Sequence, residues 1–309
     1  MKIVFMGTPD YAVPTLKALI EDGHEIAAVF CQPDKPVGRK KILTAPAVKV
    51  CAEEYNIPVY QPQSVKTDEV YDTLLSFKPD VIVVVAYGKI LPERVLNIAP
   101  YGCINGHGSI LPRYRGAAPI QWAVINGETE TGVTAMYMDS GIDTGDIIDI
   151  EKTQIGENET ADMLFERLSV ITAKLLSKTI KKLQNGEISR VKQSEAEATY
   201  APIISKDMAL IDFSKSADEV RNAVRGFNSW PVAYCFLDSK RLKVFSCSVV
   251  KGTFSDCGKV VKSDGQLVVS CGQNAVAFEE IQLEGSKRMN ITDFLKGKTI
   301  PVGTSLVEE

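Results

Sequence analysis

Residues 80–87 read Asp80-Val81-Ile82-Val83-Val84-Val85-Ala86-Tyr87. β-Branched side chains fill the run, with no polar residue alternating between them. A half-exposed strand would alternate, and a surface helix would show polar positions every third or fourth residue. A short unbroken apolar run fits a central parallel strand covered on both faces. Working outward, Lys2–Met6 reads as a buried first strand, Val13–Glu21 as an amphipathic helix and Glu25–Cys31 as a second strand. Ala47–Glu54 and Asp68–Phe77 read as helices. Cys103–His107 is the next strand, followed by Thr131–Met138 and Asp146–Ile155. The alternation predicts an α/β fold with a doubly wound, Rossmann-like parallel sheet.

The clearest helix spans Ala161–Leu183, where Leu164, Leu168, Ile171 and Leu175 recur on one face. Thr160 is placed to cap its start, and Asn185-Gly186 to end it. A polar stretch, Gln193-Ser194-Glu195-Ala196-Glu197-Ala198-Thr199, then breaks the pattern. Beyond about Lys206, one helix (Ala217–Arg225) is followed by short strands at Val232–Leu237, Leu242–Val250, Gly258–Lys262, Leu267–Ser270 and Ala275–Leu283. Short strands parted by Gly and Asp predict a small, OB-like β-barrel. The expected organisation is a first domain over 1–188, a linker over 189–205 and a C-terminal β-barrel domain over 206–309.

Composition narrows the class. The 309 residues are 45% hydrophobic and 24% charged, enough for cores without disulfide staples. Seven scattered cysteines, without a C-x-x-C, give neither a disulfide framework nor a zinc ribbon. Two histidines argue against a His-rich metal site, so no metal is expected. No stretch is long enough to span a bilayer, and the N-terminal apolar run is too short for a signal peptide. A cytoplasmic location, with no membrane partner, is expected. Net charge is −4, yet Lys35, Arg39, Lys40 and Lys41 cluster within one short loop.

Two segments concentrate chemistry. The first is Cys103-Ile104-Asn105-Gly106-His107-Gly108-Ser109-Ile110-Leu111-Pro112-Arg113-Tyr114-Arg115-Gly116. Asn-Gly is a strong hairpin signal, but Ser109–Pro119 holds two prolines and does not alternate. The dipeptide is therefore expected at the end of a strand, with Gly106 allowing close backbone approach. The second segment is Asp139-Ser140-Gly141-Ile142-Asp143-Thr144-Gly145-Asp146. It fails as an EF-hand, because Gly stands third and no Glu stands twelfth.

Together these segments resemble the folate-dependent formyltransferases. The resemblance rests on Asn105-x-His107, on Ser109-Ile110-Leu111-Pro112-x-Tyr114-Arg115-Gly116 and on the Asp139–Asp146 loop. Three further matches are similar to the branch of that family that formylates methionyl-initiator tRNA. They are Met6–Ala12, the basic loop Gln32–Arg39, and the pair Thr199–Pro202 and Arg225–Pro231. The family usually has Ile or Val where this chain has Gly106, and Ala or Pro where it has Gly108.

The resemblance implies an enzyme that moves a formyl group from 10-formyltetrahydrofolate to the free amine of methionyl-initiator tRNA, for translation initiation. It implies a catalytic trio of Asn105, His107 and Asp143. It implies a folate site formed by Tyr87, Gly88, Ile90, Leu91, Pro92, Ser109, Leu111, Pro112, Asp139 and Gly141. It implies tRNA contacts at Lys35, Arg39, Lys40 and Lys41 and on the C-terminal domain. A monomer is expected. The residue types suit the chemistry: an amide can donate to a developing oxyanion, and histidine ordinarily titrates near neutral pH. A nicotinamide dehydrogenase would instead need G-x-G-x-x-G after the first strand, and Gly7-Thr8-Pro9-Asp10-Tyr11-Ala12 fails that test. Two rivals stay open: a formyltransferase acting on a ribonucleotide or amino sugar, and a non-enzymatic RNA-binding protein.

Overall fold

The computed structural model describes every residue except Arg39, Glu308 and Glu309. Strand and helix alternate from the N-terminus: β1 (Lys2–Gly7), α1 (Val13–Glu21), β2 (Glu25–Phe30), a hairpin of β3 (Lys35–Val37) and β4 (Ile42–Thr44), α2 (Ala47–Glu54) and β5 (Val59–Tyr60). α3 (Asp68–Ser76), β6 (Val81–Val85), α4 (Glu93–Leu96), β7 (Cys103–His107), β8 (Arg115–Gly116) and α5 (Pro119–Ile125) come next. β9 (Glu130–Tyr137), β10 (Ile147–Gln154), α6 (Ala161–Gln184) and β11 (Tyr200–Ala201) complete the series before the C-terminal strands.

The main sheet has the order β10-β9-β7-β6-β1-β2-β5. β7, β6, β1, β2 and β5 run parallel. β6 is central, and Val81–Val85 are all buried. Ile82 and Val84 pack with Val4, Met6 and Phe30 against Val70, Leu74 and Val95 from α3 and α4. Burial on both faces is why β6 does not alternate. At the other edge, β9 is antiparallel to both β7 and β10. A tight return needs no crossover helix, so the chain reverses here through the Asp139–Asp146 segment.

By contact density the described chain forms two units. One holds residues 1–116, 130–154 and 165–201; the other holds 117–129, 155–164 and 202–309. The second unit contains α7 (Ala217–Gly226), β12 (Tyr234–Leu237), β13 (Lys240–Val250), β14 (Val260–Ser263), β15 (Leu267–Ser270), β16 (Ala275–Leu283), β17 (Met289–Asn290) and α8 (Ile291–Gly297). Ser216 and Glu219 close a reciprocal cap on α7, which satisfies amides at its first turn. The antiparallel order is β12-β13-β16-β15-β14, with β17 on β16. Irregular pairing of β13 with β16 around Ser246 bends the long strand, and the sheet curls into a half-barrel. Its core includes Val220, Val224, Phe227, Val244, Val269 and Phe278, with Trp122 and Ile125 packed against it.

Candidate active site

Side chains two apart on a strand share a face. Asn105 and His107 therefore project together from β7, opposite Met136 and Thr134 of β9. Both side chains are buried. Asn105-Gly106 is thus inside a strand paired on both sides, not at a hairpin.

Both ring nitrogens of His107 face an acceptor. Nε2 lies 2.8 Å from the carbonyl oxygen of Tyr114. A carbonyl only accepts, so Nε2 carries a proton and donates it. In the neutral ring the lone pair is then on Nδ1, which faces Asp143 Oδ2 at 3.5 Å. Asp143 Oδ2 in turn accepts the Gly116 N–H at 2.8 Å. Among the described residues the Asn105 amide has no protein hydrogen-bond partner. The residue as a whole is buried, yet its amide is not among the fully enclosed polar atoms that lack a partner.

The loop after β7 is folded to bring Tyr114 back over the histidine. Thr134 Oγ1 donates to the Ser109 carbonyl at 2.7 Å and accepts the Leu111 N–H at 3.1 Å. Ser109 Oγ donates to the Arg113 carbonyl at 2.6 Å. Tyr114 has a left-handed backbone, φ 60°, as does Asp143, φ 53°. Such conformations are uncommon for residues other than Gly, Asn and Asp and hold only where surrounding bonds impose them. Gly116 stands at φ 109°, and a Cβ there would lie 2.9 Å from the Ala201 carbonyl oxygen, so the position requires glycine.

Beside this group lies a cavity of about 130 Å³, lined by Lys89, Ile90, Leu91, Met136, Met138, Asp139, Gly141, Ile142 and Asp143. A lining that combines apolar side chains with two carboxylates suits a flat heteroaromatic ring that carries N–H donors. Ile90, Leu91, Asp139 and Gly141 are brought together here. Tyr87 is not: its ring is buried in the sheet core, its hydroxyl has no partner among the described residues, and burial pushes its pKa up. Its carbonyl oxygen accepts from Thr8 Oγ1 and Gln32 Nε2. Gly88 and Pro92 lie on the same loop outside the lining, Pro92 leading into α4. Ser109, Leu111 and Pro112 belong to the loop that supports Tyr114, and the Pro112 carbonyl accepts the Thr199 N–H.

Lys89, Met138 and Ile142 also line the cavity, from the two loop segments the sequence singled out, whereas Met136 was not singled out. Met136 and Met138 sit two apart, leaving β9, which is the signal that could have found Met136. Lys89 Nζ donates to the Pro62 and Gln63 carbonyls; burial lowers its pKa, and Lys35 adds to this.

Gly106 is explained by what faces it. A Cβ there would lie 2.7 Å from Thr172 Cγ2 and 2.9 Å from Leu176 Cδ1. α6 thus fills the space that a larger residue would occupy. Thr172 is held in turn by its hydroxyl, which bonds Tyr11 Oη and the Leu168 carbonyl, both at 2.8 Å.

Away from the cavity, β3 and β4 form an exposed two-stranded ribbon with Lys35 on its first strand and Val37, Ile42 and Leu43 exposed. Lys40 and Lys41 are exposed in its turn; Arg39 lies outside the described residues. Among the described residues no group of three or more His, Cys, Asp and Glu is disposed to hold a metal ion, and no helix is long and apolar enough to cross a membrane.

Residues 1–180 match the family described as Formyl transferase, and residues 203–299 match Formyl transferase, C-terminal domain. The chain belongs to the formyl transferase family. A methionyl-tRNA formyltransferase from Geobacter metallireducens is 48% identical over 311 residues, covering 99% of this chain and 98% of that one. One from Alkaliphilus oremlandii is 47% identical, covering all of both. One from Caldanaerobacter subterraneus is 49% identical, covering 99% of this chain and 100% of that one. Among solved structures, a sugar 3N-formyl transferase solved with dTDP and 5-N-formyl-THF has a TM-score of 0.66 at 22% identity, over 93% of this chain and 99% of that one. An N-formyltransferase from Helicobacter canadensis has a TM-score of 0.65 at 20% identity, over 90% and 99%. At these identities the structures establish the fold. Of Asn105, His107 and Asp143, Asp143 lines the cavity itself, and it faces the His107 ring.

Proposed function

We propose that the enzyme transfers the formyl group of 10-formyltetrahydrofolate to the free amine of methionyl-initiator tRNA. The observation that carries this reading is the arrangement of His107. One ring nitrogen is committed to a backbone carbonyl, and the other faces a carboxylate beside the cavity. The full-length relatives bearing the methionyl-tRNA name support the acceptor.

The cavity holds the pteridine ring of the donor, with Ile90, Leu91, Met136 and Ile142 against its faces and Asp139 and Asp143 near its N–H groups. The methionyl amine attacks the formyl carbon, and a C–N bond forms as the carbonyl π pair moves onto oxygen. The Asn105 amide, free of protein partners, donates to that oxyanion. The amine's surplus proton passes to the Nδ1 lone pair of His107, directly or through a water held by Asp143. The Asp143 carboxylate stabilises the imidazolium that results. The same proton is delivered to N10 as its bond to carbon breaks, and tetrahydrofolate leaves. Tyr114 holds the ring so that Nδ1 handles the proton.

The exposed basic ribbon contacts the acceptor end of the tRNA through Lys35, Arg39, Lys40 and Lys41, with phosphate contacts that position it rather than read sequence. The C-terminal unit supplies a second tRNA surface. The enzyme acts in the cytoplasm, a setting supported by seven cysteines that remain unpaired. It acts as a monomer.

The test is a stoichiometric assay. Each formyl-methionyl-tRNA formed should release one tetrahydrofolate, and an amino-sugar nucleotide added as a competing amine should not be formylated. Formylation of the sugar in preference to the tRNA would replace the proposed acceptor.

A further inference from the structure

His107 is held between two residues, and each of them is held by the segment that leads out of the first unit. Tyr114, whose carbonyl fixes Nε2, donates its own N–H to Thr199 Oγ1 at 2.8 Å. Asp143, which faces Nδ1, has its carbonyl bonded by Gln193 Nε2 at 2.8 Å, and the same amide bonds the Gly145 carbonyl at 2.8 Å. Both Tyr114 and Asp143 have left-handed backbones. Thr199 and Gln193 are thus bonded to the two uncommon backbone positions that flank the imidazole.

The segment is itself anchored. The Arg115 side chain is fully buried; Nε donates to Gln193 Oε1 at 3.0 Å, and its two terminal nitrogens donate to the Glu195 carboxylate at 2.9 Å. The Thr199 carbonyl accepts the Arg115 N–H at 2.8 Å, and β11 pairs with β8. The Gln193 amide is oriented on both sides: its oxygen accepts from Arg115, and its nitrogen donates to the Asp143 loop.

We infer that Gln193 and Thr199 are positioning residues for the transfer, acting through Asp143 and Tyr114 on the imidazole of His107. The polar segment after α6 is then a working part of the active site. The inference deepens the proposed function and rests on His107 being the proton-handling group. Small displacements of reacting groups cost on the order of 10²-fold in rate.

Three variants separate positioning from folding. Gln193→Glu keeps size and an acceptor for Arg115, but removes the N–H donors from the Asp143 and Gly145 carbonyls. Thr199→Val keeps shape and removes the acceptor for the Tyr114 N–H. Thr199→Ser restores it. Gln193→Glu and Thr199→Val should each lower kcat about 10–100-fold, with KM for folate and tRNA close to wild type; the unfolding midpoint should be unchanged in Thr199→Val and lower in Gln193→Glu, whose carboxylate oxygen faces two carbonyl oxygens. Thr199→Ser should retain wild-type kcat. Unchanged kcat in both, or a serine variant as slow as valine, would overturn the inference.

A second measurement does not depend on turnover. The chain has two histidines, so isotope-labelled histidine gives a spectrum with one ring to compare at the site. The His107 Nε2–H signal should move or broaden in Gln193→Glu and Thr199→Val while the His24 ring is unchanged. If wild type transfers no formyl group to either amine but these shifts appear, the acceptor assignment fails and the positioning stands. If transfer proceeds and the His107 signals do not move, the positioning fails alone.

Discussion

The Tyr114 carbonyl oxygen accepts the Nε2–H of His107 at 2.8 Å, which leaves Nδ1 as the ring atom free to take a proton. Asp143 Oδ2 faces that atom at 3.5 Å, too long for a strong direct bond and short enough to steady a positive ring. A backbone carbonyl cannot be mutated away, so its effect is tested through the ring. His107→Ala should lower kcat by about 10²–10⁴, and Asn105→Ala by about 10²–10³. The tRNA dissociation constant should stay within about threefold of wild type in both, because neither residue lies on the basic ribbon. Steady-state kinetics with filter binding checks the pair. Wild-type turnover in His107→Ala would remove the imidazole from the mechanism.

Lys40 and Lys41 are exposed in the turn of the β3–β4 ribbon. Replacing both with Ala should raise KM for tRNA and leave KM for the folate unchanged. The slope of log affinity against log salt should become shallower by about 0.7–0.9 for each phosphate that the variant no longer neutralises. A salt titration of tRNA binding reads both effects. An unchanged slope would place the tRNA elsewhere.

Gly106 is packed against Thr172 Cγ2 and Leu176 Cδ1. Gly106→Ala should destabilise the fold by about 1–3 kcal/mol, through overpacking against a threonine already fixed by two hydrogen bonds. Thr172→Ser removes Cγ2 and keeps the hydroxyl bonds to Tyr11 and the Leu168 carbonyl. The double variant should therefore recover part of the loss, the contact with Leu176 Cδ1 remaining. Denaturant melts of the four proteins form the cycle, and full additivity would mean that the two sites do not meet.

The Arg115 guanidinium, bonded bidentately to Glu195, holds that carboxyl below its ordinary value of 4.5, with slight desolvation opposing. A folded-state value below the unfolded one contributes stability that is complete above the unfolded pKa and lost as pH falls through the folded one. The stability difference between wild type and Glu195→Gln should be constant above about pH 5 and shrink below pH 4.5. Thermal melts at a series of acid pH values measure it. A difference that persists at lower pH would mean the ion pair contributes nothing to that window.

The sheet was legible because burial leaves a mark on composition. Val81–Val85 does not alternate, and a strand covered on both faces is the simplest cause. Strand direction left no such mark: β9 and β10 could have been parallel or antiparallel, and only their direct connection decides. α5 escaped notice because it is short, opens on Pro119 after an irregular loop, and its apolar residues serve the C-terminal core. Asn105, His107 and Asp143 stand out in the sequence because two segments resemble a known family; the structure places the His107 ring against Asp143, with Asn105 beside it on β7. Gln193 falls in the stretch read as a linker and Thr199 opens a family match, but neither carried a sign of its contact with the active-site loops. Their partners lie 48–50 and 85 positions away, and nothing local distinguishes a polar tether from a polar clamp.

The most direct measurement supplies 10-formyltetrahydrofolate with methionyl-initiator tRNA and, separately, methionyl-elongator tRNA, and follows formyl-methionine. Rapid transfer to the initiator species, with little or none to the elongator, is the expected result. Binding of both tRNAs without transfer to either would contradict the account and leave the chain a tRNA-binding protein on a formyl transferase fold.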